Sequence, residues 1–212
     1  MAALCATCGS GEFPLDRARS FSVYSGPLRA AILQLKFGRR ERLGRRLGGL
    51  LAGVWNGIGE DLAGESAVLV PVPLHAARQR ERGFNQAELL ARGLSAALEK
   101  TRGGRSPQVD TRSLVKIRAT PPQTGLSGSA RRDNVRGAFA VVRPEHVRKR
   151  QVVLVDDVMT TGATLSACAQ ALRSAGAQAI CALTLARASA QFPDMAGGDG
   201  GAVVDDFGRG RS

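Results

Sequence analysis

Residues 152–164 read VVLVDDVMTTGAT, and this stretch decides the fold. Four consecutive apolar residues, Val152 to Val155, three of them β-branched, suit a strand buried on both faces. Two carboxylates, Asp156 and Asp157, follow where that strand is expected to end. Thr160, Thr161, Gly162, Ala163 and Thr164 make a small hydroxyl-rich turn. Beyond it Leu165, Cys168, Ala169 and Leu172 recur at helical spacing, and Gly176 is placed to stop the helix. Strand, acid pair, tight turn and helix point to an open α/β sheet. In such sheets the ligand crevice lies beyond the carboxyl ends of the strands.

The chemistry depends on these residue types in this order. Gly162 lets the backbone approach a ligand with no Cβ in the way. The amides of the turn and the helix N-terminus offer unpaired donors and partial positive charge to a phosphate. Thr160, Thr161 and Thr164 can add hydroxyl donors. The carboxylates would repel a phosphate, so they suit a group attached to it. Ionised carboxylates only accept hydrogen bonds, and vicinal sugar hydroxyls complement them. A ribose 5-phosphate fits, with the phosphate in the turn and the 2- and 3-hydroxyls on the acids. Apolar residues before Asp-Asp also occur in the acidic strand of P-loop NTPases, but no GxxxxGK[ST] exists in the chain. No GxGxxG follows a strand either. A plain solvated strand end would explain the acids but not the TTGAT turn beside them.

The stretch resembles the thirteen-residue signature of the type I phosphoribosyltransferases, which bind phosphoribosyl pyrophosphate (PRPP). The resemblance implies that Asp156 and Asp157 hold the ribose hydroxyls and that Thr160, Thr161, Gly162, Ala163 and Thr164 form the 5-phosphate loop. It implies magnesium bound with PRPP, bridging ribose hydroxyls and pyrophosphate.

With 212 residues, 43% of them hydrophobic, the chain can bury a sizeable core and carry a small appendage. Aromatics make up only 4%, so Leu, Val and Ala should build that core. No run approaches the ~18–20 apolar residues of a membrane span. The N-terminus lacks the charged and apolar regions of a signal peptide, so a cytoplasmic location is expected. The net charge of +12, carried mostly by arginine, favours polyanionic partners or anionic substrates; an arginine-rich solvated surface explains it equally well. Cys168 and Cys181 fall in apolar patterns and read as small core residues.

Cys5-Ala-Thr-Cys8 is the knuckle that supplies half of a structural zinc site. No second CxxC accompanies it, so the site is incomplete as written. The expectation is either a decayed site or a second pair encoded upstream of Met1. Further along, Phe21–Tyr24 reads as a short strand, and two helical stretches are marked by Leu28, Ile32 and Leu35, then by Leu43, Leu47, Leu50, Leu51 and Val54. Arg39, Arg40, Arg42, Arg45 and Arg46 form a polar face. Ala67–Val72 reads as a buried strand stopped by prolines. The next loop carries Arg78, Arg80 and Arg82 and leads into a helix running to about Lys100. Arg78 and Arg82 suit a pyrophosphate. Leu114–Ile117, Gly137–Val142 and Ala179–Ala186 read as further strands. The long polar loop from Arg118 to Asn134 has the composition of a lid over an anionic substrate, with Arg118, Gln123, Arg131 and Asn134 as its candidate residues. From Ser189 on, composition indicates a flexible tail.

Together these segments resemble the competence protein F (ComF) family from Cys5 to Arg187. The resemblance rests on YSGPLRAAILQLKF, VPVPLHAARQRERGFNQAELLA, RATPPQTGLSGSARRDNVRGAF and the PRPP motif with LTLAR beyond it. It implies a type I phosphoribosyltransferase-like α/β fold, a mostly parallel sheet flanked by helices. The expected division is a partial zinc-finger-like segment at 1–20, the phosphoribosyltransferase-like domain at 21–188 and the tail at 189–212. It also implies a link with DNA uptake or DNA utilisation, with competence proteins as partners. Purine-salvage relatives carry an aspartate at the position of Thr160, and threonine cannot take a proton from a purine at neutral pH. Purine salvage is therefore disfavoured, and the acceptor of a phosphoribosyl group stays open. The other reading is a non-catalytic protein that handles single-stranded DNA and keeps the fold.

Overall fold

The computed structural model describes residues 14–37, 40–58, 67–101, 103, 106–121, 128–188 and 204–208. Strand β1 (Arg17–Val23) is followed by helices α1 (Gly26–Phe37) and α2 (Glu41–Leu50), the latter continued by a 3-10 stretch over Leu51–Ile58. Then come β2 (Ala67–Pro71), α3 (Ala76–Arg82), α4 (Gln86–Thr101), β3 (Gln108–Val109) and β4 (Leu114–Lys116). The remainder is α5 (Gly128–Val135), β5 (Phe139–Val141), β6 (Gln151–Met159), α6 (Ala163–Ser174), β7 (Ala179–Arg187) and β8 (Val204–Gly208). The main sheet runs β3-β2-β6-β7-β1-β8. All its pairings are parallel except that of β8, which lies antiparallel to β1. Strands β4 and β5 form a separate antiparallel pair.

β6 is central because it can be buried twice. Side chains alternate across a strand, so Val152 and Leu154 pack into one core layer with Leu165, Cys168 and Leu172 of α6. Val153 and Val155 pack into the other, with Ile32 and Leu35 of α1 and Leu90 and Leu94 of α4. All four β6 residues are fully buried, as an apolar run in a parallel sheet requires. The same alternation carries the two acids to opposite faces: Asp156 follows Leu154, and Asp157 follows Val155.

Gly48 of α2 and Gly93 of α4 have a packing cause. A Cβ on Gly48 would lie 2.2 Å from the Leu90 carbonyl oxygen, and one on Gly93 of α4 would lie 2.1 Å from that of Arg45. The two helices therefore touch backbone to backbone. The weak helix propensity of glycine is tolerated here because any side chain would separate them.

Several expectations are corrected. β6 does not stop before the acids; it continues to Met159, because β7 pairs alongside through Asp156↔Thr184, Val158↔Ala186 and Met159↔Arg187. The arginine-bearing loop is the helix α3, capped by the His75 side chain and stopped by Gly83 at φ 86°. It buries nothing, so it has no apolar periodicity to read. The expected lid includes a helix, α5. Within the expected tail, Val204–Gly208 adds an edge strand to the sheet. Cys5, Cys8, Arg39 and Gln123 lie outside the described residues, and Arg131 is described only in its backbone. Cys168 and Cys181 are buried free thiols, as their patterns predict.

Candidate functional site

The acids sit at the carboxyl end of β6, and the turn after them opens α6. Gly162 is the N-terminal cap residue, at φ 74° and ψ 4°, the left-handed region that glycine enters without a Cβ penalty. Thr161 Oγ1 accepts from the Ala163 amide at 3.4 Å, and the Gly162 carbonyl accepts from the Ser166 amide at 2.8 Å. Thr164 thus belongs to the first turn of α6, and residues 160–162 form the bend before it. The bend presents the N-terminal end of α6 beside the acid pair, which is the arrangement the sequence predicts.

Each carboxylate has its own surroundings. Asp157 is 4% exposed, and its Oδ2 lies 3.0 Å from Lys36 Nζ at the last turn of α1. That oxygen has no hydrogen-bond partner among the described residues, so the ammonium ion compensates it. Asp156 Oδ1 accepts from the Asp157 amide at 2.8 Å. Burial, then the charge of Asp157, pushes the Asp156 carboxyl up to about 7; the Asp157 amide, Lys36 and Lys116 oppose that rise. The two acids leave the strand on opposite faces but remain close enough for the charge of Asp157 to act on Asp156.

Cations surround them. Lys116 on β4 donates to Thr120 Oγ1 at 2.8 Å and lies 5.5 Å from the centre of the Phe139 ring. Its pKa is lowered, first by burial and then by the charges of Arg78 and Arg118, while Asp156 acts in the opposite sense. Arg82 donates to Gln86 Oε1 at 2.7 Å. Burial lowers its pKa most, Asp157 opposes, and Arg78 adds to the lowering. Asn85 fixes the entry of α4 by donating to the Val72 carbonyl at 3.0 Å and accepting from the Ala87 amide. Arg78 and Arg82 are held on a short helix between the end of β2 and the start of α4; the charge of Asp157 acts on Arg82, and that of Arg78 on Arg82 and Lys116.

Of the lid candidates, Arg118 donates through Nη2 to the carbonyls of Asn134 at 3.1 Å and Arg136 at 2.8 Å. Asn134 Nδ2 donates to the Pro121 carbonyl at 3.1 Å. Both residues clasp the two ends of the loop together. Among the described residues no group of three or more His, Cys, Asp or Glu side chains forms a metal cluster.

Lys36 and Lys116 escaped the sequence reading. One signal could have found them: the chain has four lysines against 26 arginines, and two of the four reach the acid pair. Each is a compact charge on a flexible stem, suited to a carboxylate that must also serve a ligand.

The phosphoribosyl transferase domain model matches residues 80–200, which spans α4 and β6 with its acids and turn. The DNA utilization protein YhgH of Escherichia coli K12 is 35% identical over 83% of this chain and 74% of its own length. Competence protein F of Haemophilus influenzae is 35% identical over 87% of this chain and 78% of its own. A solved structure of the allosteric regulatory enzyme of purine biosynthesis overlaps 66% of this chain and 25% of that one, at 22% identity and a TM-score of 0.39. With the acid pair at the end of a central parallel strand and a glycine-capped helix behind it, the chain belongs to the phosphoribosyl transferase domain family, in its competence protein F group.

Proposed function

We propose that the chain binds PRPP with magnesium in the cleft at the end of β6 and transfers its phosphoribosyl group to an acceptor met during DNA utilisation. The observation that carries this reading is the adjacency of Asp156 and Asp157 to the Gly162 bend, ringed by Lys36, Lys116, Arg78 and Arg82. In this reading the bend and the amides of α6 hold the 5-phosphate, and the two carboxylates accept from the ribose hydroxyls. Arg78 and Arg82 face the pyrophosphate, where guanidinium groups match phosphate oxygens better than ammonium groups do.

Magnesium would enter with PRPP beside Asp156 and Asp157, whose carboxylate oxygens are hard donors of the kind this ion takes. Bound there with PRPP, the ion supplies charge neutralisation for the departing pyrophosphate. The names of the relatives support a role in competence and DNA use.

The test is pyrophosphate release from PRPP and magnesium across a panel of nucleobases, amines and oligonucleotides. Acceptor-dependent release that disappears in Asp156→Asn/Asp157→Asn is the expected result. A protein that binds PRPP but releases no pyrophosphate with any acceptor would refute transfer and favour a PRPP-binding scaffold for DNA handling.

A further inference from the structure

A second cationic basin lies at the other end of the sheet. Its cavity, about 370 Å³, opens beside β3 and is lined by Arg92, Arg112, Arg143, His146, Arg150 and Asp110, over a floor that includes Val68 and Val109. Arg150 immediately precedes β6, so the basin is about six strand residues, or roughly 20 Å, from Asp156. None of its lining residues is among those described around Asp156 and Asp157.

The charges in this basin are unevenly spent. Asp110 is its one carboxylate, and its hydrogen-bonding capacity is used locally. It accepts from the Arg112 amide at 2.9 Å, from the Ser113 amide at 3.0 Å and from the Ser113 hydroxyl, and His146 Nδ1 lies 3.6 Å away. Arg92 is paired with Glu88 at 2.8 Å, outside the basin, and Arg150 donates to the His146 carbonyl. Glu145 faces His146 at 3.9 Å from outside as well. The guanidinium groups of Arg112 and Arg143 make no hydrogen bond or ion pair with another described residue. Two uncommitted guanidinium groups, backed by two more arginines, converge on a concave space of ligand size.

We infer that this basin is a second ligand site, taking a small phosphate-bearing anion of nucleotide size such as a nucleoside diphosphate. Its shape argues against a nucleic-acid strand. Grooves for single strands track the backbone over several nucleotides and offer aromatic faces for stacking. Here four arginines line a single hollow of about 370 Å³, and no aromatic residue other than His146 lines it.

The experiment is a calorimetric titration of ADP, without magnesium, into the full chain and into its Asp156→Asn/Asp157→Asn variant at low ionic strength; binding that this variant keeps lies outside the acid-pair site. Arg112→Gln/Arg143→Gln should weaken ADP binding by about tenfold or more, as the loss of charged hydrogen bonds requires. Both side chains are exposed, so the melting temperature should match the wild type; the single Arg143→Gln variant serves if it does not. ADP binding equal to wild type in the folded arginine variants would overturn the inference. So would a folded wild type that takes up no ADP. An oligonucleotide whose binding depends on Arg112 and Arg143, where ADP binding does not, would replace the small-ligand site with a strand-binding surface.

Discussion

Lys36 Nζ stands 3.0 Å from Asp157 Oδ2, although 121 residues of sequence separate them. The pair joins the end of α1 to the carboxyl end of β6. Removing only the cation would leave a nearly buried carboxylate unpaired. A fully buried orphan charge costs about 3–5 kcal/mol, and the 24% exposure of the Lys36 side chain reduces that.

Lys36→Met should therefore destabilise the fold by about 1–3 kcal/mol, or a few degrees in melting temperature. Adding Asp157→Asn to it should recover much of the loss. A double-mutant cycle by thermal or urea unfolding measures the coupling. Strictly additive single effects would show that the pair contributes nothing to stability.

Asp156 makes stability and binding depend on pH. Its folded pKa, raised from 3.8 to about 7, exceeds its unfolded value, so the folded chain holds the extra proton between those limits. Its contribution to stability therefore falls as pH rises from about 4 to about 7 and is flat above. A ligand that needs the ionised carboxylate must expel the proton below pH 7. Calorimetry of PRPP and magnesium in buffers of different ionisation heat should show more proton release at pH 6.5 in the wild type than in Asp156→Asn, which keeps only the protons that the phosphate groups of PRPP lose, and no such difference at pH 8.5. Equal proton release by the two proteins at pH 6.5 would count against this behaviour.

The α2–α4 contact predicts opposite results for neighbouring glycines. Gly48→Ala and Gly93→Ala would drive a Cβ into a carbonyl oxygen, and each should destabilise by at least about 1–3 kcal/mol. At Gly49 the nearest atom to a new Cβ is 4.0 Å away. Gly49→Ala should be neutral or stabilise by up to about 1 kcal/mol, since alanine is the better helix former. Urea unfolding of the three variants tests the contrast.

Gly162→Ala carries a backbone cost of its own. A side chain at φ 74° is disfavoured by about 1–2 kcal/mol, and the bend can escape only by moving the N-terminal end of α6. The melting temperature should drop slightly and PRPP affinity more strongly. A variant that loses stability and keeps full affinity would separate the bend from the ligand.

The strand, the acids and the bend were legible because they obey local rules. Val152 to Val155 announce burial on both faces, and a glycine after two threonines announces a tight turn wherever the chain lies. The carboxyl end of β6 was misplaced because strand length is set by the partner, and β7 extends far enough to keep pairing through Met159. Helix α3 was misread since a helix that buries nothing has no periodic face. Two-residue β3 lies below the length at which alternation can be recognised. Lys36 and Lys116 were missed for a different reason: their partners are remote in sequence, so only the fold joins them. The arginines of α3 read as partners for an anion because their charge calls for one whatever their secondary structure, and Arg82 lies where the charge of Asp157 acts on it.

The central claim is that Asp156 and Asp157 hold the sugar of PRPP as carboxylates. It is tested most directly by calorimetric titration of PRPP with magnesium at pH 8, where Asp156 is ionised, into wild type and Asp157→Asn. Replacing one carboxylate by an amide keeps its shape, removes its charge and turns one acceptor into a donor. Hydrogen bonds to charged groups contribute about 1.5–3 kcal/mol, so affinity should fall by about tenfold to a hundredfold. Binding undiminished in Asp157→Asn, or absent from the folded wild type, would contradict the assignment.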